Sequence, residues 1–450
     1  MKKIIILISL FTLNSAFSQE HFGGFTTSTR VGLLNASINP SELVNLKSKF
    51  EVQIASVSLN VSNNKIGFKD IINGTNIEKK LFDGGIPVTF NVDAEIMGPS
   101  VALKVLGWGF AVQTKAYVKS NATDIDATLG DALTNNGLGS ILSSKSVTSG
   151  KNQRLNGAAY GEISLSAAHK IIENESHQLN GGVAIKLLFP GAYANIGLDQ
   201  FKGTISNTGT NVYLSNASAG VNIAYSTSLA NNFANADDYT NNLFGSLNGF
   251  ATDLGVNYVL KSTLTDYRLK IGASVRNIGT MTFKGNNNQT TNYTLSIPPA
   301  TLGSPGLNLN QFNGSESPKD IENVLLTSGY LTKKDQSGDV IVKLPTVFNL
   351  YADLQILPKL NITAFYQQKL NENSDNDQIT TQNSLSLTPR FNIRFFEVFT
   401  PFVINETAGT TAGLGLRIGG FFVGSNSIIT ALTSDSKQAD AYFGFRFGFL

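Results

Sequence analysis

The last eight residues, Phe443-Gly-Phe-Arg-Phe-Gly-Phe-Leu450, constrain the fold most. An extended chain places alternate side chains on opposite faces. Phe443, Phe445, Phe447 and Phe449 therefore share one face, and Gly444, Arg446, Gly448 and Leu450 the other. Four aromatic rings turned to water are costly. A strand with lipid on one side and a packed or wet lumen on the other accommodates them directly.

The opposite end points to export. Lys2 and Lys3 precede an apolar run from Ile4 to Leu13, and Ala16-Phe17-Ser18 supplies small residues for a peptidase. Residues 1–18 read as a signal peptide, cut after Ser18 to leave Gln19 first; the run is too short to span a bilayer. With Cys 0, the chain has no lipoprotein cysteine and no disulfides.

No other segment approaches 18 consecutive apolar residues, so no transmembrane helix is expected. A hydrophobic content of 41% is compatible with a transmembrane barrel, because only alternate residues of each strand meet lipid. Loss of Lys2 and Lys3 leaves cations and acids equal in number, so nothing draws the chain to nucleic acid.

Clean alternation recurs along the chain. Tyr267, Leu269, Ile271, Ala273 and Val275 oppose Arg268, Lys270, Gly272, Ser274 and Arg276. Leu385, Leu387, Phe391, Ile393 and Phe395 oppose Ser386, Thr388, Arg390, Asn392 and Arg394. Period 2 with charges on the second face predicts an all-β transmembrane antiparallel β-barrel. Strands are predicted near 49–62, 86–96, 99–119, 154–170, 177–189, 195–206, 211–227, 247–262, 266–284, 341–356, 360–371, 381–404, 411–424 and 438–450, about 14 in all. Segment 99–119 is read as one strand kinked at Gly107-Trp108-Gly109, and 381–404 as one strand broken near Arg394 to Thr400; each could instead be a hairpin. The long connections, notably 120–153, 228–246 and 285–340, then fall at one end, with 190–194 also there. Turns 97–98, 207–210 and 405–410 fall at the other.

Residues 19–48 do not alternate. Asn39 can cap a helix at about 40–47 whose first turn holds Pro40 and Glu42, a plug-like segment feeding the barrel of 49–450. Short helices are also predicted within 318–330 and 123–142.

An Asn-Pro-Ser helix start before the first strand resembles the FadL-like barrels and their Bacteroidota relatives PorV and PorQ. Leu344-Pro-Thr-Val-Phe-Asn-Leu-Tyr-Ala-Asp353, Gly415 to Ser425, Ala439 to Gly444 and Val275-Arg-Asn-Ile-Gly279 are most similar to an uncharacterised Bacteroidota outer-membrane barrel family on that branch. The terminal strand also looks like the one by which outer-membrane barrels are recognised for insertion. The resemblance covers most of the mature chain and implies about fourteen strands with an N-terminal segment in the lumen. It brings no catalytic motif.

Lys104, Lys115, Lys186, Arg268, Lys270, Arg276, Arg390, Arg394, Arg417 and Arg446 should point into the lumen, with Asp93, Glu95, Glu162, Asp253 and Asp353. They form either a ladder of ion pairs filling the barrel or a basic constriction selecting anions. His21 lies near a flexible terminus; His169 and His177 flank one turn and could approach each other. With no Cys and no paired histidine spacing, a metal site is not expected. Asp375-Asn-Asp377 lacks the Gly and Glu of a calcium loop and reads as a solvated loop. Gly413-Leu-Gly415 is not a dinucleotide fingerprint.

These readings give a non-enzymatic outer-membrane barrel without cofactors. The favoured role is a plugged accessory subunit of an outer-membrane protein export or assembly complex; the alternative is FadL-like passive uptake of a small hydrophobic or amphipathic solute. Expected partners are outer-membrane lipid, the barrel-assembly machinery during biogenesis and other outer-membrane complex subunits.

Overall fold

The computed structural model describes residues 21–28, 32–134, 144–231, 236–263, 265, 267–285, 288–315, 317–372, 374–393 and 395–449. The predicted signal peptide and Arg394 lie outside the described residues.

Fourteen antiparallel strands close into a barrel. They are β1 (Phe50–Asn63), β2 (Val88–Met97 with Ser100–Val105), β3 (Trp108–Ile125), β4 (Gln153–Glu173), β5 (His177–Asn207), β6 (Gly249–Leu260) and β7 (Leu269–Phe283). There follow β8 (Val340–Lys343 with Val347–Leu357), β9 (Leu360–Lys369), β10 (Ser384–Ile393), β11 (Phe396–Phe399 with Phe402–Asn405), β12 (Gly409–Ala412 with Leu414–Ile418), β13 (Phe421–Ser425) and β14 (Gln438–Phe449). The seam runs from Phe50 opposite Phe449 to Ser62 opposite Gln438. Closure gives every wall strand a neighbour on both sides, as a backbone in hydrocarbon requires.

The outward face is apolar on strand after strand. Leu103, Phe110, Leu165, Ile185, Leu254, Leu387 and Leu414 are exposed on it, as are the four phenylalanines of β14. Lipid satisfies these side chains while the alternate residues fill the interior.

The strand number equals the predicted one, but several boundaries differ. Predicted strands 195–206 and 211–227 are not wall strands: the first is the far end of the 31-residue β5, the second a strand of a sheet that stands above the barrel. Segments 381–404 and 411–424 are each a hairpin, with Ile393 paired to Phe396 and Ile418 to Phe421. The predicted turn at 97–98 lies inside β2, and the true turn is at 106–107. Segment 190–194 lies within β5, and 207–210 and 405–410 belong to the long-loop end.

The upper sheet comprises Ser144–Thr148, the end of β5, Val212–Tyr225, Gln289–Ile297 and Leu331–Ser337. Phe201, Ile205, Leu214, Ile223, Leu295 and Leu307 belong to the largest apolar cluster among the described residues, on one face of this sheet. Helices Ala127–Thr134 and Pro318–Thr327 pack on it through Leu129 and Leu325. Each such fully buried aliphatic side chain contributes about 1.5–3 kcal/mol. Alternation here separates an apolar from a polar protein face, which explains its likeness to wall strands.

Candidate functional site

Residues 21–28 and 32–46 run inside the barrel. Asn39 caps a 3₁₀ helix, Pro40–Asn45, by accepting from Ser41 N–H at 3.0 Å. Its Nδ2 donates to the carbonyls of Val256 on β6 (2.9 Å) and Ala273 on β7 (3.2 Å). The helix lies so close to the wall that only glycine fits opposite it. A Cβ on Gly182 would sit 2.4 Å from Ser41 N, and one on Gly255 2.0 Å from Asn39 Oδ1.

Other contacts surround the segment. Ser274 Oγ donates to Ile38 O, Ser28 Oγ to Glu397 (2.7 Å), Leu33 N–H to Glu51 (3.0 Å) and Tyr442 Oη to Gly23 O (2.8 Å). Phe25 stacks on Phe422 with ring centroids 4.2 Å apart. His21, expected near a flexible end, is instead buried against Asp93 (3.0 Å) and Ser58 (3.0 Å). The two other histidines are not brought together: His169 stacks on Trp108, and His177 meets Tyr258.

The inward cations are held by acids or carbonyls. Lys115 pairs with Glu95 at 2.8 Å, Lys186 with Asp253 at 2.8 Å and Glu162 at 3.7 Å, and Lys270 with Glu42 at 3.1 Å. Arg417 pairs with Glu397 and Arg446 with Glu51, both at 3.3 Å, and Arg390 with Asp353 at 3.7 Å. Lys104 donates to Leu46 O, and Arg276 to Ser37 O. Buried charges persist only when so compensated, and this arrangement matches the ion-pair ladder rather than a basic constriction. Arg268 is the exception: it is exposed, because β7 begins only at Leu269 and the preceding Tyr267 turns inward to Asp353.

The loop 374–383 folds inward rather than standing in solvent. Gln378 to Asn383 are buried, and Ile379 joins an apolar cluster with Tyr160, Leu188, Tyr193, Met281 and Phe283. Sequence offered no sign of this, because the loop is polar apart from Ile379.

Beside that cluster the wall is interrupted. The ladder from β5 to β6 ends where Leu188 faces Gly249, and the ladder to Val212–Tyr225 starts where Ala194 faces Tyr225. Phe189 to Ala192, including Pro190, have no strand on that side, and Tyr193 is tied to Ser226 just beyond it. Residues 236–248 cover the opening: a Cβ on Gly191 would lie 1.5 Å from Asn242 O, and one on Gly161 2.3 Å from the Phe244 ring. Phe244 and Leu247 are exposed on this cover.

Above the segment lies a polar vestibule of about 1090 Å³, bounded by the ends of β1 to β3 and the loops at 372–376 and 406–407.

No curated protein matches the chain in sequence. Among solved structures, a mutant of the monoaromatic hydrocarbon channel TodX aligns with a TM-score of 0.46 and 10% identity, over 93% of this chain and 95% of that one. The Pseudomonas putida toluene transporter TodX aligns at 0.42 and 9%, over 92% and 94%. A Pseudomonas aeruginosa FadL homologue aligns at 0.29 and 10%, over 96% and 98%. Residues 40–426 match DUF5723, a family of unknown function, and the chain belongs to that family.

Proposed function

We propose that the protein is an outer-membrane barrel that passes a small hydrophobic or amphipathic solute passively, through the wall at β5 rather than straight down the lumen. The observation that carries this is the stretch Phe189 to Ala192, which has no strand beside it, with an apolar cluster inside it and the 236–248 cover outside. An unpaired backbone stretch in such a wall is costly unless protein covers it, so the cover that packs on it through Tyr239, Phe244 and Gly245 is the part that would have to move. A straight aqueous route fits poorly, since the ion-paired segment occupies the lumen and open porins use 16–18 strands. An accessory-subunit role would use the upper sheet as a docking surface but gives the wall interruption no purpose.

The test is uptake of labelled decanoate, toluene and a neutral hydrophobic dye by cells with and without the barrel. The chain has no cysteine, so Gly161→Cys with Phe244→Cys places one disulfide across the cover. Uptake that is lost on oxidation and restored by reductant supports the reading. Uptake equal to that of cells lacking the barrel, or indifferent to the crosslink, removes it.

A further inference from the structure

The vestibule has a chemistry unlike the apolar route. Pockets for apolar ligands are lined mainly by hydrophobic side chains, whereas this one is lined by carboxamides, hydroxyls and charges such as Asn91, Thr123, Asn152, Asn376 and Gln382. Its size is at the top of the usual range for small-molecule sites, about 300–1,000 Å³.

Beneath it runs a row of carboxamides in register. Asn91 on β2 faces Asn121 on β3, which faces Asn156 on β4, which faces Asn195 on β5. The row continues into the upper sheet, where Asn195 Nδ2 donates to Asn222 Oδ1 at 2.8 Å and Asn222 Nδ2 to Asn292 Oδ1 at 2.9 Å. Asn376 bends over the row, accepting from Asn152 (3.0 Å) and Asn195 (3.1 Å).

Three of these amides keep unused hydrogen-bonding capacity, Asn156 through its Oδ1 and two others nearer the vestibule. Asn152 is only 5% exposed, and its Oδ1 has no donor; Asn121 is 7% exposed, and its Nδ2 has no acceptor. Buried polar groups are normally paired; Asn152 lines the vestibule, and Asn121 sits beside the lining Asn91 in the row beneath it, so the spare acceptor points to an occupant that donates to it. The lysines do not call for an anion. Lys151 pairs with Asp124 at 2.9 Å, Lys369 with Glu406 at 2.6 Å and Lys343 with Asp375 at 3.8 Å, while Asp199 and Glu372 add negative charge to the lining.

We infer that the vestibule is a binding site for a neutral, hydroxyl-rich ligand, a saccharide or polyol group whose hydroxyls donate and accept at once. The group arrives either as a free oligosaccharide or as the head of a glycolipid. Binding here stands whether or not a solute crosses the wall at β5.

The full-length barrel in detergent, applied to an array of free neutral glycans, acidic glycans and lipid-linked glycans, tests this. Retention of neutral glycans, weakened at least tenfold by Asn152→Leu with Asn91→Leu, is expected. Because those changes touch the wall, Thr407→Trp serves as a second variant: Thr407 lines the vestibule from a loop, and an indole there fills the cavity without altering a wall strand. Retention only of lipid-linked forms identifies the glycolipid source, and retention of free forms the oligosaccharide. No retained neutral glycan, preference for acidic glycans, or retention unchanged by Thr407→Trp overturns the inference.

Discussion

Lys270 Nζ on β7 lies 3.1 Å from Glu42 Oε2 of the lumenal segment, and both side chains are almost wholly buried. Tyr351 Oη and Asn45 Nδ2 donate to the same carboxylate. The wall thus grips the segment through one fully coordinated charge.

Removing the cation strands that charge. Lys270→Met should destabilise the segment by about 3–5 kcal/mol, the usual cost of breaking a buried pair from one side. Protease susceptibility between residues 21 and 46 should rise, and Lys270→Met combined with Glu42→Gln should recover much of the protection. Equal susceptibility in the native and single-variant proteins would contradict this.

Steric displacement should give a different readout. Leu at Gly182 would collide with the backbone at Pro40 and Ser41, since even a Cβ there meets atoms at 2.4 and 2.6 Å. Gly182→Leu should expel the segment while the wall remains closed. Planar-bilayer recordings should show larger conductance than the native barrel, with the folded form still migrating distinctly on unheated gels.

The lipid face has its own signature. Leu254 and Val256 are about half exposed on β6, whereas Asp253, Gly255 and Asn257 face the lumen. Leu254→Arg should cost about 2–4 kcal/mol if it lies near the bilayer midplane. Reversible unfolding into vesicles by denaturant measures this directly.

Acidity should tighten the inward loop. Burial pushes Asp377 up to about 6, partly offset by the Arg154 guanidinium. A carboxyl whose folded pKa is raised takes up its proton in the folded state first, so docking strengthens as pH falls from above 6 towards 4. Amide exchange in 374–383, corrected for the intrinsic rate, should slow over that window. Asp377→Asn should abolish the dependence.

Much of the architecture was legible because lipid and lumen impose period 2 on every wall strand. The predicted strand number was reached through cancelling errors. Strands of the upper sheet alternate as the wall does, since Phe201 and Ile205 face a protein core instead of lipid. The missed hairpins carried a readable mark. Outward residues are odd-numbered at Phe391 and Ile393 but even-numbered at Phe396 and Val398, and they shift again between Ile418 and Phe421. A two-residue turn produces that slip of phase. The inward charges could be named from alternation, although Arg268 fell in a turn, where alternation does not hold. Their partners and the asparagine row could not be named, because both depend on register between strands far apart in sequence.

The length of β5 has a mechanical consequence. Its 31 residues, at about 3.3 Å each, form a rod of roughly 100 Å, and a membrane crossing uses only about 9–11 of them. The upper sheet is therefore not hung on flexible tethers. It is continuous with the wall through β5, so the same strand that carries the sheet also carries the interrupted stretch at Pro190-Gly191.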